Sequence, residues 1–377
     1  MTMLAAAVVE RGKPFQLIET RIPDAGPGQV RVKIHAAGIC HTDLAFRDIE
    51  FGTPLPMVLG HEGAGVIDQV GEGVVGLAVG DRVALSYDSC GACPHCDDHA
   101  PQYCVQWGLL NIAGVNFDAA TGAMTPPLMT QAGAPLFANF FGQSSFAPFA
   151  IAHARNTVKI PDALPFHLAA PLGCGMQTGA GAVMNTLAGK PGQSLVVFGV
   201  GAVGLAAIMA ARHIGMGPIV AVDLVPERLA LATALGATHG ELGGEGLAER
   251  LAAIAPSGMP QGGAAFGAAI DTTGVPAVVS AGIAALGARG TMVVIGVSPP
   301  GLKAEFELAG FLGGKRIVGT IEGDADPQAF VPLLAAMHLA GNFPHDRLVG
   351  TFPFADINHA CEAMESGAIV KPVLLFD

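Results

Sequence analysis

Between Ser194 and Ala211 the chain reads SLVVFGVGAVGLAAIMAA. A short apolar run ends at Gly199, glycines recur at 201 and 204, and an uncharged helical stretch follows. In a chain of 377 residues with 52 glycines, the spacing G-x-G-x-x-G means little by itself. Its setting gives it weight. A strand leads in, a helix leads out, and a second apolar run, PIVAVDL, carries Asp223 at its end, about twenty residues on. That order opens a βαβ unit, in which a buried parallel strand turns tightly into a helix whose N-terminus suits a pyrophosphate. A membrane-spanning helix is the other structure such an uncharged run can form, but Gly199, Val200 and Gly201 interrupt it, and no span is expected. The runs AAIDTTG and TMVVIGV, with helical text such as PERLALATALG between strands, continue the alternation. From about Gly173 to Lys315 the expectation is therefore α/β, a doubly wound parallel sheet with helices on both faces.

The flanks read differently. QVRVKIHAAGIC alternates, and GAGVIDQVGEGVVGLAVGDRVAL breaks β-like runs with glycine, so the first part reads as mainly β. Residues 109 to 141 form a long Gly-, Pro- and Ala-rich segment without clear period. After Arg316 the earlier character returns, with a helix, ADINHACEAMESG, added near the end. One domain inserted into another is expected, with boundaries at 1–173, 174–315 and 316–377. Apolar residues at 51% and charged residues at only 13% exclude a disordered chain. The net charge of -12 argues against nucleic acid as a partner. MTMLAAAVVERGKPF has no basic start and only a short apolar run, so it does not read as a secretory signal. A cytoplasmic protein with reduced cysteines is expected, and clustered cysteines there are metal ligands more often than disulfides.

Four of the seven cysteines, Cys90, Cys93, Cys96 and Cys104, stand as C-x2-C-x2-C-x7-C. Thiolates three residues apart can wrap one ion, and a fourth closes a tetrahedron. Zn²⁺ accepts all-sulfur ligation, and a closed site is structural. An iron–sulfur cluster begins with the same spacing but needs a fourth cysteine three residues on, followed by proline, which is lacking here. His95 and His99 are read as solvated. Cys40, His61 and Cys174 are spread along the chain. Singly, each reads as a buried small residue or an ordinary histidine. Together, two Cys and one His are a ligand set used by catalytic zinc in alcohol oxidation. Cys361 shares a helical face with Ile357, Ala360 and Met364 and reads as core.

CHTDL, GHEGAG, the four-cysteine spacing, FFGQSSFA, APLGCGMQTGAG, GVGAVG with Asp223, and KPVLLF occur in one order along the chain. With these motifs the chain resembles the zinc-dependent medium-chain alcohol dehydrogenases over essentially its whole length, and most of all the aryl-alcohol (benzyl alcohol) dehydrogenases. The resemblance implies a Rossmann sheet inserted into a mainly-β GroES-like catalytic domain. It implies two zinc ions per subunit, NAD, a homodimer or homotetramer, and a small-molecule alcohol and aldehyde as the partners, with no nucleic acid or membrane. The implied reaction is reversible oxidation of a primary aromatic or allylic alcohol, with hydride passing to NAD. A zinc-dependent polyol or formaldehyde-adduct dehydrogenase is the alternative within the same fold.

The resemblance also assigns positions. Cys40, His61 and Cys174 look like the catalytic zinc ligands, Glu62 like the carboxylate that approaches the metal, and Asp43 like the acid that orients His61. Thr42 looks like the hydroxyl that takes the substrate proton. Thr178, Val203 and Val297 would adjoin the nicotinamide, His41 and Lys371 the pyrophosphate, and Asp223 and Arg228 the adenosine ribose. Gly199, Gly201 and Gly204 form the dinucleotide loop. Asp223 implies a preference for NAD over NADP. Phe51, Ser86 and the run from Phe137 to Phe141 would surround the substrate channel, with Ser86 where ethanol-processing relatives carry a bulky aromatic residue. One departure stands out. Ala45 occupies the position where well-known relatives end the proton relay on histidine, so the relay either ends at Thr42 and the ribose or uses another acceptor.

Overall fold

The computed structural model describes residues 1–118, 121–256, 265–299 and 301–377. The chain divides into two compact units. The first comprises Met1–Cys174, Asp326–Leu339 and His345–Asp377, and the second Gly175–Ala325 and Ala340–Pro344.

The first unit is built on a seven-stranded sheet. Its centre is Gln29–Gly38, whose alternating burial matches the alternation of QVRVKIH. This strand pairs antiparallel with Gly63–Val70, with Phe149–His153 and with the C-terminal strand Lys371–Leu375. The C-terminal strand thus lies directly against the central strand of the unit. Val30, Val32, Ile34, Ile67, Phe146 and Cys361 are among the residues of its core. Burial pushes the Cys361 thiol up to about 12, as befits a core residue on the inner face of the helix Ile357–Glu365. The expected loop between residues 109 and 141 is largely irregular, with the short helix Trp107–Asn111 and two small hairpins.

The second unit holds a six-stranded parallel sheet. Its strands lie in the order His239–Leu242, Ile219–Asp223, Leu195–Phe198, Phe266–Asp271, Leu286–Val294 and Arg316–Gly319. Numbered along the chain this is 3-2-1-4-5-6, which reverses direction between the first and fourth strands and leaves a crevice at their carboxyl ends. Leu195–Phe198 is buried throughout, and the glycine loop follows it directly into the helix Ala202–His213. No helix among the described residues is long and apolar enough to cross a membrane. The expected return to the first unit at Arg316 comes too early. Arg316–Gly319 completes the ladder of the parallel sheet, and the chain returns at Asp326. Cys174, placed at the head of the second domain by the sequence, clusters with the first unit.

Candidate metal centre and dinucleotide site

Cys40 caps the helix His41–Asp48, and Asp43 is the third residue of that helix. The Asp43 carboxylate is fully buried. Its Oδ2 accepts the Cys40 N–H at 2.9 Å, closing half of a capping box. Its Oδ1 accepts the Gly60 N–H at 3.1 Å and His61 Nδ1–H at 2.9 Å. One carboxylate thus fixes the backbone beside Cys40 and the ring of His61. Gly60 lies at φ 89°, and a Cβ there would come within 2.6 Å of the Phe146 nitrogen, so only glycine delivers the following histidine. Cys174 follows the turn Ala170–Gly173. The outcome is a buried cluster in which ligating atoms of Cys40, His61, Glu62 and Cys174 all lie within 4.8 Å of one another.

The residues present fit a metal. With Nδ1 turned to Asp43, Nε2 is the ring nitrogen left for a ligand bond. That atom is buried and has no hydrogen-bond partner. A ring nitrogen left so is costly unless it binds an ion. The Cys40 thiol is held well below its ordinary pKa, first by its hydrogen bond with Cys174, against the effect of burial, with His61 and Lys371 adding to the shift. This favours the thiolate, the metal-binding form. Glu62 does not stand alone. Lys371 Nζ, 1% exposed, lies 2.9 and 3.0 Å from its two oxygens and 3.1 Å from the Ile39 carbonyl. Burial raises the Glu62 pKa, and the lysine opposes it. Burial works against the Lys371 charge, but Glu62, with Cys40 and Cys174 adding to it, raises the lysine above its usual value. Lys371, expected beside the pyrophosphate, has its ammonium against Glu62 and the Ile39 carbonyl.

The four-cysteine lobe carries no disulfide. Sulfur–sulfur distances are 3.5 Å for Cys93–Cys96, 3.9 Å for Cys90–Cys96 and 4.0 Å for Cys93–Cys104. Zinc–sulfur bonds of about 2.3 Å in a tetrahedron require edges of about 3.8 Å, so the four thiols already stand at zinc spacing. Backbone N–H groups of Cys90 and Gln106 point at the Cys104 sulfur, at 3.2 and 3.4 Å. The N–H of Val105, then that of Cys96, draws the Cys93 thiol down to about 6. His95 and His99 are exposed, in line with their reading as solvated.

Aromatic rings line up beside the first cluster. Phe141 stacks on the His61 ring at 4.5 Å, and Phe140 meets it edge-on at 5.4 Å. Phe46 contacts Phe140 at 5.0 Å and Phe51 at 4.5 Å. Trp107 approaches Phe141 at 5.9 Å and Tyr87 at 5.1 Å. Asn139, Phe141 and Ser144 all take the left-handed conformation, at φ 63°, 51° and 54°, which turns the run back on itself. Trp107, Tyr87 and Phe46 join this row without any motif in the sequence to single them out. Ser86 is fully buried, and its hydroxyl donates to the Gly173 carbonyl at 2.6 Å, so it holds the Cys174 turn in place. Thr42 Oγ1 lies 3.7 Å from the Cys40 sulfur, and His41 is exposed.

In the second unit the three loop glycines have different reasons to be glycine. Gly199 lies at φ 81°. A Cβ on Gly204 would stand 2.0 Å from the Gly199 carbonyl oxygen, so helix and loop could not close. A Cβ on Gly201 would meet nothing within 4 Å, which is the open position a pyrophosphate would approach. Asp223 closes the second strand. Its Oδ2 accepts the Val200 N–H at 2.8 Å, and its Oδ1 those of Leu224 and Val225 at 2.8 and 3.0 Å. Arg228 is half-buried with its Nε unpartnered, Val203 is half-buried, and Val297 is 68% exposed. Thr178 lies on the helix Gly175–Gly181.

Two family models match this chain: the alcohol dehydrogenase GroES-like domain over residues 26–162 and the zinc-binding dehydrogenase domain over residues 202–337. It belongs to the zinc-dependent medium-chain alcohol dehydrogenases. This dehydrogenase is 42% identical over 373 residues to the geraniol dehydrogenase of Castellaniella defragrans, a match covering 99% of this chain and 97% of that one. Among solved structures, an alcohol dehydrogenase zinc-binding domain protein from Burkholderia ambifaria superposes with a TM-score of 0.94 at 46% identity, covering 100% of this chain and 99% of the other. The benzyl alcohol dehydrogenase of Acinetobacter calcoaceticus superposes at 0.92 with 39% identity, covering both chains completely. The GroES-like and Rossmann folds expected from the sequence are those of the dehydrogenase.

Proposed function

We propose that the dehydrogenase oxidises primary alcohols whose carbinol carbon bears an aromatic ring or an alkene, reversibly, with NAD as the acceptor. Alcohol and NAD⁺ become aldehyde, NADH and a proton. The observation that carries this reading is the row of aromatic rings running from Phe51 through Phe46 and Phe140 to Phe141, which stacks on His61 itself. Such rings favour a flat, polarisable guest by face and edge contact. A polyol would lose the hydration of its extra hydroxyls there for few partners. The names of the relatives, geraniol and benzyl alcohol dehydrogenase, support an allylic or benzylic substrate.

Cys40, His61 and Cys174 would hold one zinc with a position left open, and the metal would supply Lewis-acid polarisation of the alcohol hydroxyl. Cys90, Cys93, Cys96 and Cys104 would hold a second, closed, structural zinc. NAD, bound at the glycine loop and Asp223, would supply the hydride acceptor. The rest belongs to the chain. Asp43 holds His61 in the tautomer that keeps Nε2 free for a ligand bond. Thr42, beside Cys40, receives the hydroxyl proton on its Oγ1. Ala45 offers no further acceptor, so the proton leaves Thr42 toward the cofactor ribose or water. Glu62 stays neutralised by Lys371 and leaves the open position to substrate.

The test compares kcat/KM for benzyl alcohol, geraniol, ethanol and sorbitol, each with NAD. Benzyl alcohol or geraniol should lead ethanol and sorbitol by well over about tenfold, equivalent to more than ~1.4 kcal/mol of transition-state discrimination. Ethanol or sorbitol within that margin of the better of the two refutes the substrate class.

A further inference from the structure

In the second unit, Glu322 is an acidic residue with only 7% of its surface exposed. It opens a turn of three consecutive left-handed residues, Glu322 at φ 52°, Gly323 at 67° and Asp324 at 50°. Two of the three are not glycine, a conformation that persists only where the surroundings enforce it. The surroundings do so from both sides. A Cβ on Gly323 would stand 2.6 and 2.7 Å from the carbonyl oxygens of Gln177 and Thr178, and one on Gly181 would stand 2.3 Å from the Gly323 oxygen. Backbone thus rests directly on backbone. Asn185 Nδ2 donates to the carbonyls of Gly323 and Asp324 at 3.1 and 3.3 Å, and Thr186 Oγ1 donates to Asp324 Oδ2 at 2.7 Å. Held in this way, Glu322 presents Oε2 to the helix Gly175–Gly181. There it accepts the Gln177 amide N–H at 2.9 Å and the Thr178 hydroxyl at 3.3 Å.

We infer that Glu322 is a positioning residue for the nicotinamide end of the cofactor site, acting through Thr178. This rests on the reading above that the unit binds NAD with Thr178 against the nicotinamide. The physical reason lies in the geometry. A threonine hydroxyl rotates among several partners, and its side chain has more than one rotamer in a helix. A carboxylate fixed by a rigid turn offers that hydroxyl an acceptor at 3.3 Å and so favours the rotamer that faces it. The Thr178 methyl is then presented in one preferred direction. Gln177 donates to the same oxygen, which keeps the carboxylate from turning to solvent. The turn supplies rigidity, Glu322 supplies the acceptor, and Thr178 would supply the contact. Pre-ordering of this kind appears as affinity, because the ordering cost is met before the ligand arrives.

The experiment uses the full-length, zinc-loaded protein and NADH as the probe, with dissociation constants read from nicotinamide fluorescence. Four variants are compared with wild type: Glu322→Ala, Glu322→Gln, Thr178→Val, and Glu322→Ala combined with Thr178→Val. Loss of the pre-ordering should weaken NADH about two- to threefold in Glu322→Ala and by a similar factor in Thr178→Val. The double variant should be no weaker than the worse single one, since both remove the same interaction. Glu322→Gln keeps an oxygen acceptor and should recover most of the affinity. A merely structural glutamate would instead give effects that multiply in the double variant, with no selective rescue by glutamine. Where Glu322→Ala does not fold, Glu322→Gln replaces it. Glu322→Gln should then lie near wild type and between wild type and Thr178→Val. Multiplying effects, or wild-type NADH affinity in both Glu322→Ala and Thr178→Val, overturns the inference. Absence of NADH binding by the wild-type protein overturns the NAD reading itself and this inference with it.

Discussion

Replacing Asp43 with asparagine changes one atom at the point where two metal ligands are tied together. The aspartate receives three N–H groups: from Cys40 at 2.9 Å, Gly60 at 3.1 Å and His61 at 2.9 Å. Asparagine has one oxygen for these three donors. Its best orientation keeps the oxygen where Oδ1 was, serving Gly60 and His61, and turns its NH2 against the Cys40 N–H. That leaves a buried donor facing a donor, at about 1–3 kcal/mol, which should lower the resistance to unfolding by that amount. The opposite orientation sets two donors against the NH2. It also forces the His61 proton onto Nε2, where the ring can no longer bind a metal. Either way the ring is held by a neutral oxygen or by none, and loss of such a supporting contact weakens a metal site about 10- to 100-fold. The assay is zinc per subunit after dialysis against graded concentrations of chelator, with the four-cysteine site as internal reference. One zinc should leave Asp43→Asn at about 10- to 100-fold lower chelator than in wild type, while the other leaves both proteins together. Zinc retained as in wild type, with unchanged kcat/KM, would show that Asp43 does not tie the ligands together.

Two further predictions concern the lobe and the cofactor. Cys96 stands 3.5 and 3.9 Å from two neighbouring sulfurs, so Cys96→Ser should lose one zinc and melt earlier or aggregate, because structural zinc contributes folding free energy. Cys174→Ser should stay folded, lose the other zinc and turn over no alcohol. Normal melting and zinc content in Cys96→Ser contradict the structural reading. A 2′-phosphate on the adenosine ribose would meet the Asp223 carboxylate, so NAD should be preferred over NADP and Asp223→Gly should relax the preference. Equal kcat/KM with both cofactors in the wild type contradicts that.

What could be read from the sequence was local. The glycine loop, the strand before it and Asp223 fall within a short stretch, and short-range patterns are where sequence is informative. The cysteine spacing of the lobe is equally local, and its four sulfurs stand at metal distances. The parts that escaped depend on residues far apart. Lys371 is expected at the pyrophosphate, and only the pairing of the C-terminal strand with Gln29–Gly38 shows its ammonium on Glu62. The sixth strand, Arg316–Gly319, is short and largely exposed and has no long apolar run to mark it. Phe141 belongs to the run expected around the substrate channel, but its stacking on His61 depends on left-handed residues that the sequence does not advertise, since only one residue of the run is glycine. Glu322 carries no sequence signal either, because its turn is enforced by the distant residues Gln177, Thr178 and Gly181. Even Asp43 showed only one of its roles. Its position three residues after Cys40 is a capping signal as well, and that reading would have predicted the bond to the Cys40 N–H.

The Glu62–Lys371 pair bears on the order in which a ribosome delivers the protein. Cys40, His61 and Glu62 emerge early, and Cys174 completes the ligand set before half of the chain has been made. The ammonium that neutralises Glu62 is encoded roughly 200 residues later, about 10–40 s at ordinary elongation rates. During that interval the first unit lacks both the strand Lys371–Leu375, which pairs with its central strand, and the counter-charge of a carboxylate destined for full burial. A lone buried carboxylate opposes closure around it. Until that strand arrives, closing the pocket around an ionised Glu62 carries the cost of a buried carboxylate without its lysine.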